Sequence, residues 1–274
     1  MRSLCNGRIS VAAAAFAVVW LGTAPPAAAL VPDCGLRPGG SGRVAGVIDG
    51  DTVVLEDGSE VRLVGTQAPK LPLGRRGFPT WPLAPEARAA LESLTLGKRV
   101  ELRYGGERID RHGRKLAHLF VESDGPLWVQ GEMVRRGLAR TYSFADNRSC
   151  VRELQSREAT ARTGRRGIWT NGYYRLRDAA EPAALLRLVD TYQLVEGRVL
   201  AAADVRGRIF LNFGPNYRDD FTAVVAPGDA RRFRGGPIDL LALEGRRVRV
   251  RGWLENHNGP SIDVTHPEQI EIIE

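Results

Sequence analysis

The sequence contains few of the residues from which zinc centres are built. Its 274 residues include three cysteines and four histidines, and the histidines stand at the widely separated positions 112, 118, 257 and 266. Structural and catalytic zinc sites use His and Cys ligands at short, regular spacing. The sequence therefore does not support a metal site of His and Cys ligands.

Long apolar runs are equally scarce, and the one candidate lies at the N-terminus. Ile9–Gly22 is apolar but shorter than the about 20 residues of a membrane-spanning helix. It follows the basic residues Arg2 and Arg8 and precedes three alanines at 27–29, as in a cleavable signal peptide. We expect a signal peptide over 1–29, with a retained N-terminal anchor as the alternative. The mature protein would then have no membrane span and would be periplasmic or secreted.

Removal of the signal peptide would take Cys5 and leave Cys34 and Cys150. Two cysteines in an oxidising compartment can pair, and we treat them as a candidate disulfide. Such a bridge would stabilise the fold by about 2–4 kcal/mol. Two free thiols are the alternative.

Lysine is rare, so arginine supplies nearly all of the positive charge. The formal net charge of the whole chain is +7. From Asp190 onward, eleven arginines and thirteen acidic residues leave a balance of −2. The excess of positive charge therefore lies before that point, which favours an anionic partner such as nucleic acid or a membrane surface. A genome that favours arginine would produce the same excess.

The hydrophobic pattern predicts an α+β fold that is mainly β. Residues 44–66 alternate around Asp57-Gly58, which predicts a hairpin. A helix is predicted from Pro85 to Leu96, where the following glycine suits its end. Other elements predicted in this half are strands at 100–104 and 116–121 and helices at 128–136 and 151–163.

The pattern changes near residue 176, which indicates two domains. Residues 179–182 are typical of a linker or a short connecting helix, and the sequence beyond them favours strands. The predicted organisation is, in chain order, signal peptide 1–29, lead-in loop 30–42, first domain 43–172, linker 173–190 and a smaller β domain 191–274.

Three motifs of the first domain stand in a recognisable order. They are Val47–Thr52 (VIDGDT), Val61–Lys70 (VRLVGTQAPK) and Asp110–Ala117 (DRHGRKLA), with support from 132–139 and 167–169. The ordered set resembles the thermonuclease, or staphylococcal-nuclease-like, family over roughly 43–170. That resemblance implies a five-stranded OB barrel with packed helices, which binds Ca²⁺ and hydrolyses phosphodiesters of DNA and RNA. The region 191–274 resembles small OB-like domains.

The resemblance assigns roles to individual residues. Asp51 matches the first metal-binding Asp, and Arg62 and Arg114 match the two arginines that clamp the phosphate. Gln67 stands where the family has its second metal-binding Asp, and Lys70 stands where it has the Glu that acts as general base. Substrate contacts are expected from Arg75, Arg76, Arg111, His112 and Tyr142, and support of the site from Asp49, Thr52 and Asp110.

The two replacements change the expected chemistry. A glutamine offers a carbonyl oxygen without charge, so Ca²⁺ binding should weaken. A protonated lysine is a poor base at neutral pH. Over the metal, base and clamp positions the formal charge changes from −1 in the family to +2 here. We expect a monomer that binds nucleic acid or another polyanion in this pocket, with metal-dependent hydrolysis weak or lost.

Three alternatives remain from the sequence. The protein could be an active phosphodiesterase in which Glu60 or Asp49 replaces the missing base. It could be a nonenzymatic interaction module of the cell envelope. The pocket could also be a relic without a ligand.

An arginine stripe marks the second domain. Residues 247–254 alternate, so that Val248, Val250 and Leu254 should face the core. The opposite face carries Arg247, Arg249, Arg251 and Trp253. Arginine beside an aromatic ring suits single-stranded nucleic acid, but a solvated face or an interface with the first domain is the more economical explanation.

Overall fold

A computed structural model describes residues 32–123 and 125–273. The predicted signal peptide lies outside these residues. No helix in the described part of the chain is long and apolar enough to cross a membrane. The fold is mixed α+β and mainly β, as the sequence predicted.

The first half of the described chain forms eight strands and three helices. The strands are β1 (Arg37–Asp49), β2 (Thr52–Leu55), β3 (Glu60–Leu63), β4 (Thr66–Gln67), β5 (Arg99–Tyr104), β6 (Lys115–Val121), β7 (Leu127–Trp128) and β8 (Arg140–Thr141). The helices are α1 (Ala84–Thr95), α2 (Val129–Arg135) and α3 (Val151–Thr163). All three helices were predicted to within one residue at each end.

Five of these strands close into a barrel. β1 pairs antiparallel with β2 and β5, β2 pairs with β3, and β5 pairs with β6. The parallel pair of β3 and β6 closes the ring. The predicted hairpin forms between β2 and β3, where Gly58 has a φ of 80° that favours glycine. α1 covers the barrel with the fully buried side chains of Ala87 and Leu91.

The prediction of a lead-in loop over 30–42 is wrong from Arg37, where β1 begins. Arg37 pairs with Tyr104 of β5 across this Gly- and Pro-rich stretch. A Cβ added at Gly39 would lie 1.9 Å from a ring carbon of Tyr104. The glycine that suggested a loop therefore lets the strand backbone lie directly against that ring.

The second half forms another eight strands and two short helices. They are, in chain order, β9 (Arg177–Asp178), α4 (Pro182–Leu186), β10 (Tyr192–Arg198), β11 (Ala201–Val205), β12 (Arg208–Asn212), β13 (Thr222–Val225), α5 (Pro227–Ala230), β14 (Arg247–Asn256), β15 (Pro260–Asp263) and β16 (Ile270–Ile272). Short 3₁₀ turns lie at Gly167–Thr170, Gly172–Tyr174, Arg231–Phe233, Leu241–Leu243 and Pro267–Gln269.

The second set of strands repeats the pairing order of the first barrel. β11 pairs with β12, β12 with β13, and β14 with both β10 and β15. The parallel pair of β13 and β15 corresponds to the parallel pair of β3 and β6. β10 and β11 together stand in the place of β1, with a break at residues 199–200.

The segment predicted as a linker is packed structure. It contains β9, which pairs with β10, and α4. Ala179 and Leu185 are buried in the core of the second strand set. The segment 173–190 is therefore packed: Tyr173 and Tyr174 contact Trp81 and Pro82 of the first half, whereas the part from Ala179 belongs to the second half.

The arginine stripe on β14 faces the first half of the molecule at its centre. The Arg251 side chain is 0% exposed, and its Nη2 lies 2.8 Å from Oε2 of Glu158 in α3. Its Nη1 donates to the Thr141 carbonyl at 3.3 Å, while Glu158 accepts from the Thr141 amide at 2.8 Å. The interface explanation of the stripe is confirmed for Arg251, and Val248, Val250 and Leu254 are buried as predicted.

Candidate functional site

The centre of the site is the tight turn that joins β1 to β2. Asp51 in this turn is 0% exposed, and its Oδ2 accepts from the Ala68 amide at 2.8 Å. The turn lies against α1, because a Cβ at Gly50 would come within 2.8 Å of the Ala87 methyl group. The glycine of the first motif therefore lets the turn approach the helix and places the Asp51 carboxylate inside the fold.

Two cations bind the Asp51 carboxylate. The Lys70 Nζ lies 2.6 Å from Oδ1 and 2.7 Å from Oδ2, and the Arg62 Nη1 lies 2.7 Å from Oδ1. Lys70 also donates to Oδ2 of Asp49 at 3.1 Å. The ammonium group of Lys70 thus bridges both carboxylates of the first motif. Thr52 is buried beside them and lies 3.4 Å from Asp51 Oδ1 through its hydroxyl.

The two carboxylates have opposite pKa shifts. Burial raises the pKa of Asp51, but Arg62 and Lys70 outweigh that effect and hold the pKa well below its usual range. Burial and the neighbouring Asp51 charge raise the pKa of Asp49, against a smaller lowering by Lys70. Asp51 is therefore the firmly ionised partner of the lysine, and Asp49 takes up a proton more readily.

Gln67 turns away from this cluster and contacts a residue that sequence reasoning missed. Its Oε1 accepts from Nε and Nη2 of Arg140 at 2.9 and 2.7 Å. Arg140 is buried because β8 pairs with β4, and its guanidinium lies 4.7 Å from the ring centre of Tyr192. This contact uses the oxygen that was expected to bind Ca²⁺. The pairing of β4 with β8 places Arg140 beside Gln67. Because each of these strands has two residues, neither leaves a periodic pattern in the sequence that could have predicted this contact.

Of the two expected phosphate clamps, Arg62 lies in β3 and Arg114 directly precedes β6, which pairs with β3. Arg62 in β3 is level with Leu116 of β6, two residues beyond Arg114. Arg62 also donates to the Thr66 carbonyl at 2.8 Å, and the Arg114 Nη2 lies 2.7 Å from Asp110 Oδ2. Their side chains keep 13% and 29% exposure. Each arginine therefore has one edge held by the protein and part of its surface open to solvent.

The remaining expected contacts lie further out. Arg75, Arg76, Arg111 and His112 are exposed. The Arg75 guanidinium lies 3.6 Å from the centre of the Phe78 ring, and Arg111 Nε lies 3.2 Å from His112 Nε2. Tyr142 is half-buried, and its hydroxyl accepts from Trp253 of β14 at 3.1 Å. In the described part of the chain, none of these side chains forms a hydrogen bond or salt bridge with the central carboxylates.

The structure changes the charge balance expected for the pocket. The count of +2 left out Asp49 and Asp110, which here pair with Lys70 and Arg114. With these two carboxylates included, the central group of three cations, three anions and Gln67 is formally neutral. Among the described residues, Arg75, Arg76 and Arg111 form no salt bridge. The excess of positive charge therefore lies outside this central group, on exposed side chains.

The oxygen atoms of the central cluster do not fit a Ca²⁺ site. Calcium requires six to eight oxygen ligands, carboxylates among them. Lys70 occupies both oxygens of Asp51, and Arg140 occupies the side-chain oxygen of Gln67. Within residues 32–123 and 125–273, no group of three or more His, Cys, Asp or Glu side chains could hold a metal ion.

Comparisons with known proteins agree with the first barrel and its motifs. A sequence model of the staphylococcal nuclease homologue family matches residues 60–171. The thermonuclease of Staphylococcus hyicus is 26% identical over 132 residues, which cover 47% of this chain and 75% of that protein. An uncharacterized endonuclease of Escherichia coli O157:H7 is 32% identical over 133 residues, which cover 47% of this chain and 77% of that protein.

The chain belongs to the staphylococcal nuclease homologue family. The family match begins at Glu60, so the first motif, Val47–Thr52, lies before it. The structure nevertheless brings that motif together with Arg62 and Lys70 of the second.

Proposed function

We propose that the protein binds the phosphodiester backbone of nucleic acid at Arg62 and Arg114, with metal-dependent hydrolysis weak or lost. The observation that carries this proposal is the Lys70 ammonium, which lies within 2.7 Å of both oxygens of Asp51. Those oxygens bind a cation of the protein itself. Lys70 stands where the family has its general base, so that position holds a cation that neutralises the Asp51 carboxylate.

The surroundings of Lys70 support binding over catalysis. Arginine matches phosphate oxygens with two parallel donors, and Arg62 and Arg114 keep part of their surface open. Exposed Arg75, Arg76 and Arg111 add positive charge around them. Electrostatic binding of this kind is independent of sequence and falls with salt. Asp49, the candidate replacement base, is held by Lys70 at 3.1 Å.

The disulfide supports an exported protein. The structure joins Cys34 and Cys150, and such bonds persist in oxidising compartments. We infer that the mature protein is periplasmic or secreted and acts as a monomer on DNA, RNA or another polyanion. We also infer a division into two OB-like domains near residues 173–190, supported by the repeated pairing order.

The test follows binding and cleavage of fluorescent DNA and RNA by the mature protein, with Ca²⁺ and with chelator. We expect the wild type to bind without cleavage in both conditions. Arg62→Ala and Arg114→Ala should each weaken binding and reduce the slope of log K against log salt by about one. Arg187→Ala, an exposed arginine in the second half, is the matched control and should bind like the wild type.

A second pair of substitutions tests the role of Lys70. Restoring carboxylates with Gln67→Asp and Lys70→Glu should produce Ca²⁺-dependent cleavage, because oxygen ligands and a base return together. Cleavage by the wild type in chelator that is lost in Asp49→Asn would contradict the proposal and identify an enzyme with a different base. Unchanged affinity in both arginine variants would show that the phosphate clamp is misassigned.

A further inference from the structure

The second strand set has a cavity on its outer face. Its volume is 620 Å³, within the about 300–1,000 Å³ typical of ligand pockets. Strands β11, β12, β13 and β15 form its floor. The loop that carries Tyr217 and the turn at His257 form its walls.

Strand alternation separates this face from the core. Ile209 and Leu211 of β12 are buried in the second core, whereas Arg208, Phe210 and Asn212 alternate with them and line the cavity. Val205 and Val224 extend the apolar floor. Val205 is 54% exposed, so this face presents apolar side chains to solvent. A sheet face of this kind is typical of a binding surface.

The first barrel has its own candidate site on the corresponding strands. The strands that correspond to β11, β12, β13 and β15 are β1, β2, β3 and β6 in the pairing order. Arg62 points outward from β3 between the buried residues Val61 and Leu63. Thr222 and Val224 line the cavity from the corresponding strand, β13. Both barrels therefore expose a candidate site on the same set of strands.

The polar groups of the cavity fit an uncharged planar ligand. Arg208 and Asp263 contribute one positive and one negative charge, so the lining has no net charge. Within the described part of the chain, neither of these two side chains forms a hydrogen bond. A guanidinium that donates and a carboxylate that accepts match the carbonyl and N–H groups along the edge of a nucleobase. The Phe210 and Tyr217 rings offer surfaces for stacking.

We propose that this cavity binds a base of single-stranded nucleic acid. The inference rests on the proposed function, since it adds a base-binding site to a chain that binds the backbone at its first barrel. A duplex does not fit the proposal, because its bases are stacked and paired. The affinity should therefore be higher for a strand with bases than for a strand without them. Substitutions in the cavity should remove that difference.

The experiment uses the full mature protein and two labelled probes of equal length. One is an oligonucleotide of about 12 deoxythymidines, within the about 4–16 nucleotides that one OB fold covers, and the other is its abasic counterpart. We expect the wild type to bind the thymidine probe about tenfold more tightly, since stacking contributes about 1–3 kcal/mol per base. Phe210→Ala and Tyr217→Ala should each reduce this ratio toward one without changing affinity for the abasic probe.

Two controls separate this proposal from the proposed function. Leu241→Ala removes an exposed apolar side chain of the second barrel away from the cavity and should keep the ratio. Arg62→Ala should weaken both probes equally and also keep the ratio. An unchanged ratio in both cavity variants, or no binding of either probe, would overturn the cavity proposal. Binding of the thymidine probe alone, lost in the cavity variants, would instead overturn backbone binding at the first barrel.

Discussion

The first barrel and the second strand set pair their strands in the same order, yet corresponding strands carry different chemistry. In the first barrel, Asp51, Lys70 and Arg62 form a cluster of paired charges near the outer face. In the second, Phe210 and Val224 make the corresponding face largely apolar. The pairing order therefore determines where a site can form, and the side chains at those places determine what it binds.

The barrels also differ in what stabilises them. The first is covered by helices and carries the Cys34–Cys150 disulfide, whereas the described part of the second strand set contains no disulfide. In the second strand set, Arg251 of β14 instead packs against Glu158 of α3. This difference predicts which substitutions destabilise each half of the molecule.

The largest effect is expected when the contact between the barrels is removed. Arg251→Ala leaves the buried Glu158 with only Arg162, 3.8 Å away, as a salt-bridge partner, and breaking a buried pair typically costs about 3–5 kcal/mol. Chemical denaturation monitored by tryptophan fluorescence would measure the loss. Arg232→Ala removes an exposed pair with Asp229 and should cost no more than about 1 kcal/mol. A loss of similar size in both variants would show that the buried contact does not stabilise the interface.

A smaller effect is expected from the disulfide. Replacing Cys34 and Cys150 together with serine removes a link between residues 116 positions apart and should cost about 2–4 kcal/mol. Amide hydrogen exchange should become faster in β1, β5 and β6, while β12 and β13 keep their protection. Equal loss of protection in both barrels would contradict this difference and indicate a single cooperative unit.

The smallest effect, taken per pH unit, concerns the response of the first barrel to acid. Burial lowers the pKa of His118 from its ordinary value of 6.5 to about 3, and its Nδ1 lies 3.2 Å from Nε1 of Trp128. The unfolded chain therefore binds a proton between these pH values that the folded protein does not. The free energy of unfolding should fall by up to about 1.4 kcal/mol for each pH unit below 6.5.

A matched pair of variants isolates this contribution. His118→Gln should flatten the pH dependence of the free energy of unfolding between about pH 6.5 and 4. His257→Gln makes the same replacement at an exposed histidine outside the first barrel and is the control. His266, with a pKa lowered to about 4 mainly by burial, contributes with the same sign in both variants. Identical slopes in both variants would exclude His118 as the source.

The sequence predicted the elements whose evidence is local. Helix α3 begins and ends where predicted, because its apolar positions recur at helical spacing and Gly164 follows its last residue. Local evidence failed at Arg37, where glycine signals a loop but permits a strand against Tyr104. It also failed at β9, which forms only because β10 is available for pairing.

The sequence predicted which residues form the site more completely than it predicted the contacts among them. Motif order identified Asp51, Arg62 and Lys70, which the structure brings together. The neutral charge balance was missed, because Asp49 and Asp110 count only once their ion pairs are known. The stripe on β14 shows the same limit. Alternation predicts that Arg251 lies on the face opposite the core. It cannot predict whether that face contacts water or the first half of the molecule.

The contact between Arg140 and Tyr192 has a consequence for any attempt to study the nuclease-like part alone. A fragment that ends at residue 172 would lose the ring that lies 4.7 Å from the Arg140 guanidinium. Water would then reach the arginine that holds Gln67. Such a fragment would keep every motif of the family and still be a different molecule at its centre, so its affinities would not describe the intact chain.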